Sequence, residues 1–232
     1  MNIIDIIVLI IMGISMVAGS YNGLITSAMH TISFFLSWVI SVFLYPVITS
    51  MILSTFPKLM NVITLYTDGR ALIPDVEDRL ASIKNFSPEK IGTIVETANL
   101  PEPFGRILVS DFSQSLEGIK TVGEYFDSTM AMVIINICSF IILFLLVKLL
   151  FMIIVSVTKA VANLPVLRKF DALAGAGFGI VRGVFILYLV FALIPILLVL
   201  APTDIMSEFL DGSKYANFFQ NTNIFTNFVR GR

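Results

Sequence analysis

Of 232 residues, 57% are hydrophobic and only 13% are charged, where soluble domains carry about 25% charged residues. A net charge of −1 leaves no basic footprint for nucleic acid, and a single cysteine, Cys138, excludes an internal disulfide. The length suits one compact membrane bundle with a modest polar part, and Cys138 reads as a small apolar core residue.

Four apolar runs are expected to span the membrane. The first, 3–19, just reaches across a hydrocarbon core of about 30 Å at roughly 1.5 Å per residue. No Lys or Arg precedes it and Asp5 stands where a basic leader region belongs, so an uncleaved span is expected. The second run, 24–53, has a polar stripe and Pro46 near its end. Its link to the first is only "SYNG", which predicts an antiparallel pair.

The polar region 57–128 holds seven Lys/Arg and eleven Asp/Glu. In "SPEKIGTIVETANLP", Ser87 is a predicted N-cap and Pro88 a first helical residue, with Ile91, Ile94, Val95 and Ala98 at helical spacing. "PDVEDRLASIKNF" and "SLEGIKTVGEYF" show similar one-sided patterns. Short amphipathic helices are expected there. They lack the bulk for a large core of their own, which places them on the membrane surface or on the bundle.

The third run, 130–157, carries Lys148. The link "TKAVANLPVLRKFD" leads to the fourth, "DALAGAGFGIVRGVFILYLVFALIPILLVLAP", in which Pro195 is a candidate kink. The tail, 204–232, sets Phe209, Tyr215, Phe218, Phe219, Phe225 and Phe228 among polar residues. Rings in such company favour the headgroup level, so interfacial helices are expected. The resulting division is 1–56 (spans one and two), 57–128 (extracytoplasmic amphipathic helices), 129–202 (spans three and four) and 203–232 (interfacial tail). Lys159, Arg168 and Lys169 in the second short link predict that both short links face the cytoplasm, a bias weakened by Lys214, Arg230 and Arg232 in the tail.

Gly175, Gly179 and Gly183 lie every fourth residue on one face of the fourth span. Ser15, Gly19 and Gly23 form a matching face on the first, and Ser33, Ser37 and Ser41 one on the second. Lipid gives no hydrophobic gain when helices meet, so attraction rests on close packing, which small residues permit. The simplest reading is packing between the glycine faces of spans one and four. Dimerisation or sliding of one helix on another is the sharper one. On the packing reading, Leu at Gly179 separates the helices, with Ala milder.

Arg182 lies inside the fourth span and Lys148 at similar depth in the third. Either each snorkels to headgroups, or they supply a counter-charge or anion contact. Asp5, in the first helical turn, is best placed to cap that helix and favour its dipole. It is expected in the leaflet opposite Arg182. His30 shares the second span's stripe with Ser27, Ser33 and Ser37. A Ser–His pair there has no nucleophile motif and no nearby acid, and one histidine makes no multi-histidine metal site. There is no phosphate loop.

These pieces resemble the colicin V production protein (CvpA) family of small bacterial membrane proteins. "LPVLRKFDALAGAGFGIVRGVFIL" looks like that family's proline, aspartate-led turn and G-xxx-G-xx-(R/K)-G helix, through Pro165, Gly175, Gly179, Arg182 and Gly183. "NIIDIIVLIIMGISMVAGSYNGLI" resembles its opening helix, through Asp5, Gly19 and Gly23. Tyr21 and Asn22 stand where the family usually has a basic residue. The resemblance covers the four spans; the middle region and the tail look family-variable. It implies a cytoplasmic-membrane protein linked to colicin V production and envelope upkeep, with no settled biochemical activity.

The combined expectation is an all-α, integral membrane four-helix bundle with amphipathic surface helices, multi-pass in the bacterial cytoplasmic membrane. Its expected role is that of a non-enzymatic accessory or scaffold protein in toxin production or export and envelope homeostasis. The competing reading is a small transporter or channel with a polar path near Arg182, Lys148 and His30. No catalytic residue, metal site or cofactor is assigned. The expected partners are the lipid bilayer and a second copy or another membrane protein, without nucleic acid.

Overall fold

The computed structural model describes residues 2–98, 100–112, 118–159, 170–200, 210 and 212–231. Arg168, Lys169, the motif proline Pro165 and the tail residue Phe209 lie outside them, so the orientation signal of the second short link does too. The described residues form helices and turns, with one isolated antiparallel bridge between Ser82 and Thr121. Three helices are long and apolar enough to cross a membrane: Ile3–Thr55, Val122–Ser156 and Asp171–Leu200.

The first of these, α1 (Ile3–Thr55), takes in both the first and the second expected span as two helical limbs that meet at Gly23. The "SYNG" link is not a loop. Helix runs up to it and away from it, and only Gly23, at φ 76 and ψ 174, leaves helical geometry. Positive φ of this kind is open to glycine and strained for other residues. The chain nevertheless doubles back there. Ser27 Oγ donates to the Gly19 carbonyl at 2.8 Å across eight residues, a separation of about 12 Å along a straight helix.

Four short helices and two single turns follow: α2 (Leu59–Thr67), α3 (Val76–Leu80), α4 (Pro88–Ala98) and α5 (Phe104–Asp111), with turns at Gly69–Leu72 and Ile83–Asn85. Then come α6 (Val122–Lys159), α7 (Asp171–Leu200) and α8 (Lys214–Asn221). The predicted cap Ser87 accepts the Lys90 backbone N–H at 3.4 Å. Its hydroxyl also binds the Glu89 carboxylate and holds that group below its ordinary pKa.

The chain forms two compact units. One comprises Met1–Tyr45, Phe140–Ala192 and Asp204–Phe225; the other comprises Pro46–Ser139, Leu193–Thr203 and Thr226–Arg232.

In the first unit, α7 fixes the directions of both limbs of α1. Ser15 and Gly19 face Gly179 and Gly175, so numbers run oppositely and 3–22 is antiparallel to α7. Leu24 bonds Asp171 and Thr31 bonds Phe178, both 147 residues apart, so 24–55 starts parallel to it. The two limbs are therefore antiparallel to each other. An aromatic cluster fills this unit. Phe225 is 1% exposed and sits 5.6 Å from Phe140, 5.9 Å from Phe144 and 6.1 Å from Trp38, ring centre to ring centre. The tail's aromatics therefore divide: Phe219 and Phe225 enter the core, while Tyr215 and Phe218 remain exposed. The interfacial expectation fails for the first two because rings on α7 and α6 cover them: Phe191 is stacked 5.4 Å from Phe219, and Phe140 meets Phe225 edge-on.

In the second unit the middle helices share a core with α6. Ile73, Ile91, Phe104 and Leu108 are fully buried together with Val122, Tyr125, Phe126 and Met130 of α6. The missing bulk comes from α6, which starts well before its apolar run and continues across position 128. Several polar groups buried here are matched. Tyr125 Oη donates to the Leu108 carbonyl at 2.6 Å, and Asn136 Nδ2 donates to the Arg230 carbonyl at 2.6 Å. Asn136 Oδ1 accepts from Thr49 Oγ1 at 2.8 Å. Outside this core, Phe56 and, on α2, Leu65 and Tyr66 turn apolar groups outward, as a membrane-surface helix would.

At 38 residues, α6 is about 57 Å long, nearly twice a hydrocarbon core. Its apolar side chains are spread around the axis and not gathered on one face, so most of its surface needs an apolar cover. Its early part is enclosed by protein, whereas Leu145, Leu146, Leu149, Leu150 and Ile153 point outward and need lipid.

Candidate functional site: a glycine contact and a cationic layer

The structure brings the Ser15/Gly19/Gly23 and Gly175/Gly179/Gly183 faces into backbone contact. A Cβ added to Gly19 would collide with the Gly175 carbonyl and lie 2.7 Å from Gly179 Cα. One added to Gly179 would collide with the Ser15 carbonyl and lie 3.1 Å from Gly19 Cα. At Gly183 it would lie 2.9 Å from Met12 Sδ. Gly177, between the regular positions, has nothing within 4 Å of its added Cβ, so the close approach belongs to the every-fourth-residue face alone.

The serine stripe of 24–55 bonds along its own backbone. Ser37 Oγ donates to the Ser33 carbonyl at 2.6 Å and Ser41 Oγ to the Ser37 carbonyl at 2.7 Å, both fully buried. Ser33 Oγ donates to the His30 carbonyl at 2.9 Å. These short side chains satisfy their hydroxyls locally and let neighbours pack close.

Lys148 meets that stripe. Its ammonium donates to Ser33 Oγ at 2.7 Å and to the His30 carbonyl at 3.1 Å, and lies 5.3 Å from the Phe34 ring centre. The side chain is thus held against 24–55. His30 enters this contact through its carbonyl. Arg182 lies on the neighbouring stretch of α7: Thr31 Oγ1 donates at 3.2 Å to the carbonyl of Phe178, four residues before Arg182, and Phe185, three residues after it, has its ring 5.6 Å from that same Phe34 ring. The Phe34 ring links the two neighbourhoods, 4.8 Å from Phe144 and 5.6 Å from Phe185.

Asp5 is placed elsewhere. Its carboxylate accepts the Asn2 backbone N–H at 3.0 Å and the Ser213 hydroxyl, and Ser213 in turn caps α8 by accepting the Ala216 N–H at 3.1 Å. The acid therefore caps α1 and fastens the tail helix. The sequence reading missed this second role, and Ser213 just ahead of "KYANFFQN" was its only local signal.

A second missed residue is Asp171. It opens α7, and its carboxylate accepts the Leu24 N–H at 2.7 Å. The carboxylate fills the space a side chain on Gly23 would need. In the second unit, Asp127 accepts Arg70 N at 2.8 Å and Arg70 Nε at 2.6 Å. That carboxylate raises the Arg70 pKa beyond its ordinary value, chiefly through the hydrogen bond.

Among the described residues, no group of three or more His, Cys, Asp or Glu is arranged to hold a metal ion. A cavity of about 470 Å³ beside Gly92, Glu96, Glu102 and Arg106 is open. What this arrangement offers is helix apposition and a cationic layer.

The family described as "Colicin V production protein" matches residues 4–67 and 107–223. Its gap, 68–106, lies in the middle region, and the match extends through α8 into the tail. No curated protein and no solved structure matches the chain.

Proposed function

The chain belongs to the colicin V production protein family, and from that premise we propose that it is a non-enzymatic accessory or scaffold protein of the bacterial cytoplasmic membrane. It crosses that membrane several times and serves toxin production or export and envelope homeostasis. The observation that carries the reading is the backbone contact between the glycine faces of α1 and α7. Residues that bring two helices this close serve a fixed shape, and a fixed shape is what an assembly platform requires. The local bonding of the serine stripe adds to it, since those hydroxyls are occupied along the helix.

A complementation experiment tests this. A bacterial host lacking its own family member and carrying a colicin V-type toxin operon would receive this chain with an affinity tag. Restored toxin secretion, with a membrane protein of the export or envelope machinery cross-linked to the tag, is the expected result. Secretion that stays absent while the chain is abundant in the membrane contradicts the proposal.

A further inference from the structure

We propose that Lys148 and Arg182 form a binding site for an oxyanion of the phosphate class inside the membrane-spanning unit. Both cations lie in apolar helices. The ion pairs among the described residues are Arg70–Asp127, Lys90–Asp78 and Arg106–Glu102, so neither cation is in one. The described acids of the same unit, Asp5 and Asp171, are engaged by Asn2 and Ser213 and by Leu24. Arg182 Nε is shielded and has no hydrogen-bond partner among the described residues. Lys148 is held on the α7-facing stretch of 24–55 by Ser33 and His30, beside Phe34, whose ring also meets Phe185.

Two like charges held in one layer of low dielectric call for an anion. Phosphate matches this pair of donors. The planar guanidinium fork binds two oxygens of one group, and the ammonium supplies a point charge beside it. The same chemistry occurs in an anionic lipid headgroup and in free phosphate. The site goes beyond the scaffold reading and does not depend on it.

The test uses the full-length protein in a neutral detergent. Phosphatidylglycerol, zwitterionic phosphatidylcholine and inorganic phosphate are each titrated, the lipids by native mass spectrometry and phosphate by calorimetry. At least one of phosphatidylglycerol and phosphate should bind saturably, with phosphatidylcholine at least about tenfold weaker. Lys148→Gln and Arg182→Gln should each weaken binding by about tenfold or more, while Arg182→Lys and Lys148→Arg retain most of it. Displacement of the lipid by phosphate identifies a soluble oxyanion; lipid binding that phosphate leaves intact identifies a headgroup. A photoreactive phosphatidylglycerol on the unaltered protein guards against misfolded variants, and with it a headgroup site should cross-link near positions 148 and 182. The proposal is overturned if neither anionic probe saturates, if the double Gln variant binds like the parent, or if a saturating lipid cross-links only elsewhere.

Discussion

The Asp171 carboxylate accepts the backbone N–H of Leu24 at 2.7 Å, joining residues 147 positions apart at the one point where α1 leaves helical geometry. Leu24 N–H is among the first donors of the 24–55 limb, which the helix itself cannot satisfy. A carboxylate there supplies the missing acceptor and meets the positive end of the helix dipole. Asp171→Ala should lower stability by about 1–2 kcal/mol, with Asp171→Asn closer to the parent. Gly23→Ala should cost more than either, because it combines a positive φ with a collision against that carboxylate. Thermal midpoints in detergent would rank the three variants, and a Gly23→Ala protein that melts like the parent would contradict the account.

Asp127→Asn tests the core of the second unit. The Asp127 side chain is 4% exposed and its Arg70 partner 58% exposed. The loss is therefore smaller than for a fully buried pair, about 1–2 kcal/mol, since water still solvates the arginine. Faster proteolysis between Gly69 and Ile83, with the membrane helices intact, is the expected readout.

Much of this fold is legible in the sequence because lipid demands long apolar runs, and because glycine spacing survives whatever the helix meets. Gly23 is harder to read. "SYNG" looks like a four-residue turn, yet Tyr21 and Asn22 remain helical and one residue makes the reversal. The start of α6 was hidden by Glu124 and Asp127, charges that end an apolar run but not a helix when Arg70 waits in space. Asp171 was visible as a residue and invisible as a cap, because its partner lies on another helix. Composition also cannot tell a ring at the headgroups from a ring in a core, which is why Phe225 was misplaced.

Residues 57–128 expressed alone should show no cooperative thermal transition in water. Their core is completed by Met130, Val133, Ile134 and Ile137, and by Asn136 bonding Arg230, all beyond the cut. A sharp transition in circular dichroism would show that the fragment carries its own core.

The basic residues Lys159, Arg168 and Lys169 of the second short link predict that both short links face the cytoplasm. With Cys138 replaced, a membrane-impermeant thiol label on intact cells should modify a cysteine placed at Ser87 and spare one placed at Asn163. The reverse pattern would invert the topology.

The glycine contact gives the most exacting prediction. From sequence alone, Ala at Gly179 is expected to be milder than Leu, but the structure leaves little room for either. A single Cβ there already meets the Ser15 carbonyl and approaches Gly19 Cα and Met16 Cα at 3.1 Å. Those neighbours are backbone, which cannot rotate away as a side chain can, so the helices must separate. Gly179→Ala should destabilise by about 1–3 kcal/mol, and Gly179→Leu should reduce membrane abundance further. Gly177→Ala is the matched control, on the same helix with nothing within 4 Å of its added Cβ. It should be neutral or stabilising by up to about 1 kcal/mol, since alanine favours the helix over glycine. Melting curves and membrane abundance of the three variants decide the matter. If Gly179→Ala and Gly177→Ala behave alike, helix propensity and not backbone contact governs this face.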